Sequence, residues 1–105
     1  MKNNSKIQRL KLEWEGININ VKYIPDYFNL SKGIADKRLA HLEIESENHQ
    51  RLPMTETGYR SHFDAAVNIE AHGTPLDFVR NWLTAAAKSK EWKAYMKQSK
   101  QLTLF

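Results

Sequence analysis

The sequence predicts an α+β domain, in which a four-stranded, mostly antiparallel sheet (an amino-terminal hairpin plus two strands) is covered by carboxy-terminal helices. Apolar and polar residues alternate through residues 7–24 and again through 39–45, which is the period of strands buried on one face. After residue 74 the apolar residues recur at helical spacing instead. We therefore expect residues 1–98 to form a single domain and residues 99–105 to form a protruding tail.

Residues 7–24 predict a β-hairpin. Two alternating segments flank the dipeptide Glu15-Gly16, and a two-residue link that contains glycine is typical of a hairpin. The turn type stays open, because Glu-Gly is a weaker turn signal than Asn-Gly. The apolar positions are Leu10, Leu12, Trp14, Ile17, Ile19, Val21 and Tyr23.

A third strand is expected over residues 39–45, after an irregular connection over 27–38. In the strand, the residues that alternate toward the core are Ala40, Leu42 and Ile44. In the connection, the side chains expected to pin the chain to the core are Tyr27, Phe28 and Leu30.

The segment 55–63 has neither the strand nor the helix period, and it is therefore interpreted as a polar loop whose Tyr59 and Phe63 are anchored in the core. A fourth strand is expected to follow over residues 64–71. Its inward positions would be Ala65, Val67, Ile69 and Ala71.

A helix is expected to begin at Pro75, because Thr74 can cap it and Asp77 suits the positive end of the helix dipole. The residues expected to form its apolar stripe are Leu76, Phe78, Val79, Trp82, Leu83, Ala85 and Ala86. Because Ser89 offers a second cap, the sequence predicts a break near residues 88–90 and a second short helix over 90–98.

The composition of the chain excludes several classes of function. The chain has 105 residues and no cysteine, so disulfides, thiolate catalysis and zinc-cysteine sites are excluded. It has no apolar run of membrane-spanning length and no signal peptide, and we expect a cytoplasmic protein without a membrane partner. No motif for a cofactor or a small-molecule substrate occurs, so neither is expected.

The formal charge of +4 is unevenly distributed. The last helical region is rich in lysine. A basic helix favours binding to an acidic partner or to nucleic acid. The alternative is that the lysines form only a solvated helix face. The candidate contacts to DNA or another host protein are Lys90, Lys93 and Lys97 on this helix and Tyr59, Arg60 and His62 on the 55–63 segment.

A metal site is the second candidate. If the third and fourth strands pair, His41, Glu43 and His62 could converge as two imidazoles and a carboxylate, which is a common ligand set for iron, manganese or zinc. Residues that alternate with the core face solvent by default, and no fixed-spacing metal signature supports the site.

The residues Gln101-Leu102-Thr103-Leu104-Phe105 resemble the bacterial sliding-clamp-binding motif, Gln-Leu-(Ser or Asp)-Leu-Phe, with threonine at its third position. The resemblance implies recognition of a peptide in a groove of the DNA polymerase III sliding clamp. The partner-binding residues would be Gln101, Leu102, Leu104 and Phe105. The alternative is that these apolar side chains fold back on the domain's own core.

The chain also resembles short uncharacterised bacterial proteins of plasmids and prophages. This resemblance rests on the segments 40–43 and 55–63, on the helices of Trp82 and Trp92, and on the pentapeptide. It implies a mobile genetic element as context and implies no established activity.

Three functions are therefore expected from the sequence. The first is a non-enzymatic interaction protein that binds the sliding clamp and acts in DNA replication or repair or in its subversion. The second is an anti-defence protein, such as an anti-CRISPR inhibitor, that uses the polar sheet face or the 55–63 segment. The third is a small metal-dependent enzyme.

Overall fold

A computed structural model describes residues 7–28 and 36–102, with the backbone alone for 100–102. Four strands form one antiparallel sheet in the order of the chain, β1-β2-β3-β4, and three helices follow them, which confirms the predicted α+β class. The strands are β1 (Gln8–Trp14), β2 (Ile17–Ile24), β3 (Leu39–Ser46) and β4 (Tyr59–Ala65). The helices are α1 (Ala66–Glu70), α2 (Pro75–Ala86) and α3 (Lys90–Leu102), and a short 3-10 turn spans Glu47–His49.

The predicted hairpin is confirmed, and its turn type is now defined. Glu15 and Gly16 both have positive φ angles, 50° and 79°. Two successive left-handed residues make a type I′ turn, whose twist matches that of the flanking strands. The turn sets the pairing of Trp14 with Ile17, and the apolar residues of both strands then share one face.

The core lies between that face of the sheet and the helices. Side chains from β1, β2 and β3 pack against the buried residues of α1 and α2. The inward residues Ala40, Leu42 and Ile44 are fully buried, as predicted. The other main core residues are Leu12, Ile17, Ile19, Val21, Tyr23, Ala66, Ile69, Val79 and Leu83.

The prediction for the fourth strand was wrong. Residues 59–65 form β4 instead of a loop, and residues 66–70 form the short helix α1 instead of a strand. Ala66 and Ile69 are both fully buried, because residues three apart share one side of a helical turn. An apolar residue at every second position fits a strand or one turn of helix, so the sequence period alone misled the assignment.

The prediction that aromatic residues anchor the connecting segments in the core was also wrong. Tyr59 and Phe63 are 42% and 46% exposed, and Tyr27 and Phe28 are 44% and 57% exposed. All four belong to the solvent side of the sheet, because the core is already filled by aliphatic side chains from the inner strands. Leu30, the remaining predicted anchor, lies outside the described residues.

The start of α2 follows the prediction. Thr74 and Asp77 form a capping box, in which the Asp77 N–H donates to the Thr74 Oγ1 and the Thr74 N–H donates to the Asp77 carboxylate. Ala85, expected in the apolar stripe, is exposed instead. None of the helices among the described residues has the length and apolarity to cross a membrane.

The predicted break before the last helix is present, and Ser89 caps α3 through a hydrogen bond from the Trp92 N–H to its Oγ. However, α3 does not end at residue 98 but continues to Leu102. The first part of the expected tail is therefore helical, because the residues after 98 include good helix formers and no glycine or proline.

Gly58 is expected to be a critical position for folding. It has φ +78°, and a Cβ atom there would lie 2.5 Å from the backbone carbon of His49. Gly58→Ala should lower the free energy of unfolding by about 3 kcal/mol in urea titrations, because the clash of the new Cβ atom with His49 adds to the strain of alanine at a positive φ. Gly16→Ala is the matched control, since Gly16 has φ +79° and open space around it, and should cost about 1 kcal/mol. If both variants lost the same free energy of unfolding, the close approach of His49 to Gly58 would contribute nothing to the effect.

A second prediction concerns acid stability. Hydrogen bonds from Arg38 lower the pKa of Asp36 from its ordinary 3.8 to about 2. The folded-state pKa lies below the unfolded one, so this stabilisation is present above about pH 4 and is lost as the pH falls toward 2. Asp36→Asn should therefore be less stable than wild type at pH 7, and the difference should shrink as the pH falls through this range.

Urea midpoints at pH 7, 4 and 2.5 measure the effect. Glu56→Gln is the control, because the Glu56 carboxylate is 83% exposed and lies 3.9 Å from Arg51. The prediction would be contradicted if the difference in urea midpoint between wild type and Asp36→Asn stayed constant from pH 7 to 2.5.

Candidate functional site

The face of the sheet away from the helices, here called the open face, has three chemically distinct zones. Cross-strand pairing sets directly opposite residues on the same face, so the zones follow from the register. The first zone is basic, with Arg9, Lys11 and Lys22 on β1 and β2. The second is acidic, with Glu43 and Glu45 on β3. The third is aromatic, with Tyr59 and Phe63 on β4 and with Tyr27 and Phe28 beside them.

Three rings of the aromatic zone, those of Tyr27, Phe28 and Phe63, form a contiguous set. The Tyr27 ring contacts the Phe28 and Phe63 rings edge to face, with centroid distances of 5.0 and 5.1 Å. The Phe63 ring stacks on the His41 imidazole at 4.3 Å, and Tyr27 meets the same imidazole at 5.2 Å. The exposed rings therefore cover His41, which is only 6% exposed.

His41 is held between two polar neighbours. Its Nε2 lies 2.7 Å from the Ser61 Oγ, within hydrogen-bonding distance. Its Nδ1 is buried without a hydrogen-bond partner and lies 3.9 Å from the Glu43 Oε2. Burial lowers the pKa of His41, while the negative charge of Glu43 acts in the opposite direction. The imidazole is therefore neutral at pH 7.

Glu43 and Tyr59 complete the polar part of this zone. The Lys22 Nζ lies 3.7 Å from the Glu43 Oε2 across the β2–β3 pair. The pKa of Tyr59 is raised, first by partial desolvation and next by the charge of Glu43, while its hydrogen bond with Ser61 acts to lower it. The Tyr59 phenol is thus a neutral hydroxyl next to Ser61.

The predicted metal ligands do not converge. β3 and β4 do pair, but their register sets His62 directly opposite Leu42, which faces the core. His62 is therefore on the helix-covered face, whereas His41 and Glu43 are on the open face. Within residues 7–28 and 36–102, no group of three or more histidine, aspartate or glutamate side chains is placed to hold a metal ion.

The helix-covered face of β4 forms a separate polar cluster. The Arg60 guanidinium lies 5.3 Å from the centre of the Trp82 ring, and His62 contacts the same ring at 4.8 Å. His62 Nε2 is also 3.3 Å from the Asp64 carboxylate. Because Tyr59 points to the other face, the predicted contact residues Tyr59, Arg60 and His62 do not form one surface.

The basic helix α3 is attached to the domain through its first half. Trp92 is buried and meets the Trp14 ring at 6.0 Å, and Tyr95 lies under the Arg51 guanidinium at 4.5 Å. A groove of about 640 Å³ runs between α3 and the hairpin end, and Lys93 is among its lining residues. The three lysines predicted as contacts, Lys90, Lys93 and Lys97, are all exposed.

The pentapeptide begins in the last turn of α3. The backbone of Gln101 and Leu102 is helical and forms the last residues of α3. Leu104 and Phe105, the other predicted partner-binding residues, lie outside the described residues. Whether these side chains bind a partner or fold back on the domain therefore stays a prediction.

Sequence reasoning missed the contact between Ser61 and His41. The chain neighbour of Ser61, His62, points to the opposite face. The signal was present in the alternation of Tyr59, Ser61 and Phe63, which have strand spacing. Only the β3–β4 register, however, makes Ser61 a diagonal cross-strand neighbour of His41.

Comparison with known proteins gives one family. A family model described as the KlcB third domain matches residues 7–92, which is most of the chain. The matched range includes the whole sheet and ends in the first turn of α3, before the pentapeptide. No curated protein and no solved structure matches the chain.

Proposed function

We propose that this chain, which belongs to the KlcB third-domain family, is an interaction protein that binds the bacterial DNA polymerase III sliding clamp through residues 101–105. The observation that supports the proposal is that the motif begins in the last turn of a lysine-rich helix, which continues as far as Leu102. In this proposal the protein works in the cytoplasm, in DNA replication or repair or in their subversion by a mobile genetic element.

The geometry of α3 supports the proposal. Trp92 and Tyr95 fix the first half of the helix to the domain. From Lys97 to Leu102 the helix rises by about 8 Å, at 1.5 Å per residue. A motif that begins at Gln101, in the last turn of this helix, can enter a groove on another protein without moving the sheet.

The side chains of the motif suit an apolar groove with a polar rim. Leu102, Leu104 and Phe105 would supply the buried anchors, and the Gln101 amide would make oriented hydrogen bonds at the rim. An extended bound peptide requires the last turn of α3 to unwind at Gln101 and Leu102. This step costs little, because the final carbonyl groups of a helix have no partner within it and helix ends fray readily.

The exposed lysines of α3 add a second attraction. Lys90, Lys93 and Lys97 precede the motif on the same helix. A row of cations next to an apolar motif raises the association rate with an acidic protein surface or with DNA, and salt weakens this effect. The proposed complex is therefore anchored by the motif and steered by the helix.

Removal of the anchors tests the proposal in the full chain. Leu104→Ala and Phe105→Ala should each weaken binding to purified sliding clamp by about 2 kcal/mol, which is roughly 30-fold, because each removes a buried apolar contact. Wild-type binding is expected in the micromolar range, about −8 kcal/mol, by isothermal titration calorimetry.

Thr103→Ser is the matched control, because it changes a neighbouring residue to one that the motif allows, and it should retain wild-type affinity. Circular dichroism should show the same fold in all variants. If a chain that lacks residues 101–105 still binds the clamp with unchanged affinity, the proposal is wrong.

A further inference from the structure

We propose that Ser61 is a nucleophile activated by His41, and that the open face hydrolyses small carboxylic esters with an apolar or aromatic acyl group. This activity does not depend on clamp binding. It uses residues on β3 and β4 that lie within the range matched by the KlcB third-domain family. The proposal rests on the geometry of three side chains and of the rings around them.

The hydrogen bond between Ser61 and His41 has the arrangement that a serine nucleophile needs. The Ser61 Oγ lies 2.7 Å from the Nε2 of the imidazole, and Ser61 itself is exposed. The buried Nδ1 on the other side of the ring is 3.9 Å from the Glu43 carboxylate. Serine, histidine and carboxylate thus follow in the order found in hydrolytic triads.

Glu43 selects the tautomer that makes His41 a base. A proton on Nδ1 would be attracted by the Glu43 carboxylate, whereas a lone pair at Nδ1 would be repelled by it. With the proton on Nδ1, the free lone pair is on Nε2 and accepts a hydrogen bond from the Ser61 hydroxyl. Glu43 is therefore a positioning residue, and His41 is the general base.

The side chains around His41 keep its imidazole neutral and shielded from water. Stacked Phe63 and the edge of Tyr27 exclude water from the imidazole and lower its pKa. The charged and titratable groups around the ring are Lys22 on β2, Glu43 on β3, Tyr59 on β4, Tyr27 after β2 and, through the sheet, His62. Of these, Glu43 opposes the decrease in pKa, and Lys22 and His62 add to it.

The exposed rings next to Ser61 define the substrate class. Phe63 is two residues from Ser61 on the same face, and its ring stacks parallel to Phe28 at 6.5 Å. A flat apolar acyl group could pack on these rings with its carbonyl carbon over the Ser61 Oγ. The Tyr59 hydroxyl, which hydrogen-bonds with Ser61, is next to the same point and would stabilise negative charge on the carbonyl oxygen.

The reaction has two balanced steps. In the first, the Ser61 Oγ forms a bond to the carbonyl carbon, its proton moves to the His41 Nε2, and the bond to the leaving oxygen breaks as that oxygen takes the proton. The products are an alcohol and an ester of Ser61. In the second, His41 accepts a proton from water, the hydroxide forms a bond to the acyl carbon, and the Ser61 oxygen leaves and regains its proton.

Covalent labelling tests the nucleophile directly. A fluorophosphonate probe should add one equivalent to the wild-type chain, and peptide mass spectrometry should locate it at Ser61. Ser61→Ala is an exposed substitution that leaves the core intact, and it should remove the label. Ser99→Ala, which changes a partly exposed serine on α3, should label like wild type.

Hydrolysis of p-nitrophenyl butyrate tests the mechanism. Ser61→Ala, which removes the nucleophile, and His41→Gln, which removes the general base, should each lower kcat/KM by about 100-fold. The wild-type rate should rise with pH through an apparent pKa below the ordinary histidine value and then level off near pH 7. Glu43→Gln should lower kcat more than it raises KM and should shift that pKa downward, because it removes the neighbouring negative charge.

Two results would overturn the proposal. One is the absence of labelling at Ser61 in wild-type protein that is folded by circular dichroism. The other is ester hydrolysis that is unchanged in Ser61→Ala. Neither result bears on clamp binding, which uses a different part of the chain.

Discussion

The register between β3 and β4 is the constraint on which the rest of this molecule depends. It is fixed where the two strands begin to pair, because the Ser46 N–H donates to the Gly58 carbonyl at 2.8 Å and the positive φ of Gly58 lets the chain pass close to His49. A shift by one residue would exchange the two faces of β4. Ser61 would then face the core, and the polar contact with His41 would not exist.

The same register explains why an edge strand with few apolar residues is stable. β4 contributes little to the aliphatic core. Its side chains instead contact aromatic rings on both faces of the sheet. On the covered face, Arg60 and His62 pack on the Trp82 ring of α2. On the open face, Phe63 stacks on His41. These contacts set polar groups beside aromatic rings. His41 is buried with one ring nitrogen that has no hydrogen-bond partner, which is chemically unusual.

The molecule consists of a packed domain and a helix that extends from it. The sheet, α1 and α2 share one core, and the family match covers all of them. The helix α3 is joined to this core through Trp92 and its neighbouring turn, and it continues to Leu102. The proposed clamp-binding motif and the proposed esterase site therefore lie on different parts of one chain, and substitutions can affect either one without the other.

The sequence by itself determined the hairpin, the third strand, the capped start of α2 and the break before α3. Each of these follows from a local signal: strand periodicity, a glycine turn, a capping box or a serine cap. Tertiary structure alone decided the position of β4 and the face on which Ser61, His62 and Phe63 lie. The physical reason is that the facing of an edge strand is set by its hydrogen-bond register with a neighbour some 20 residues earlier in the chain, which no local pattern encodes.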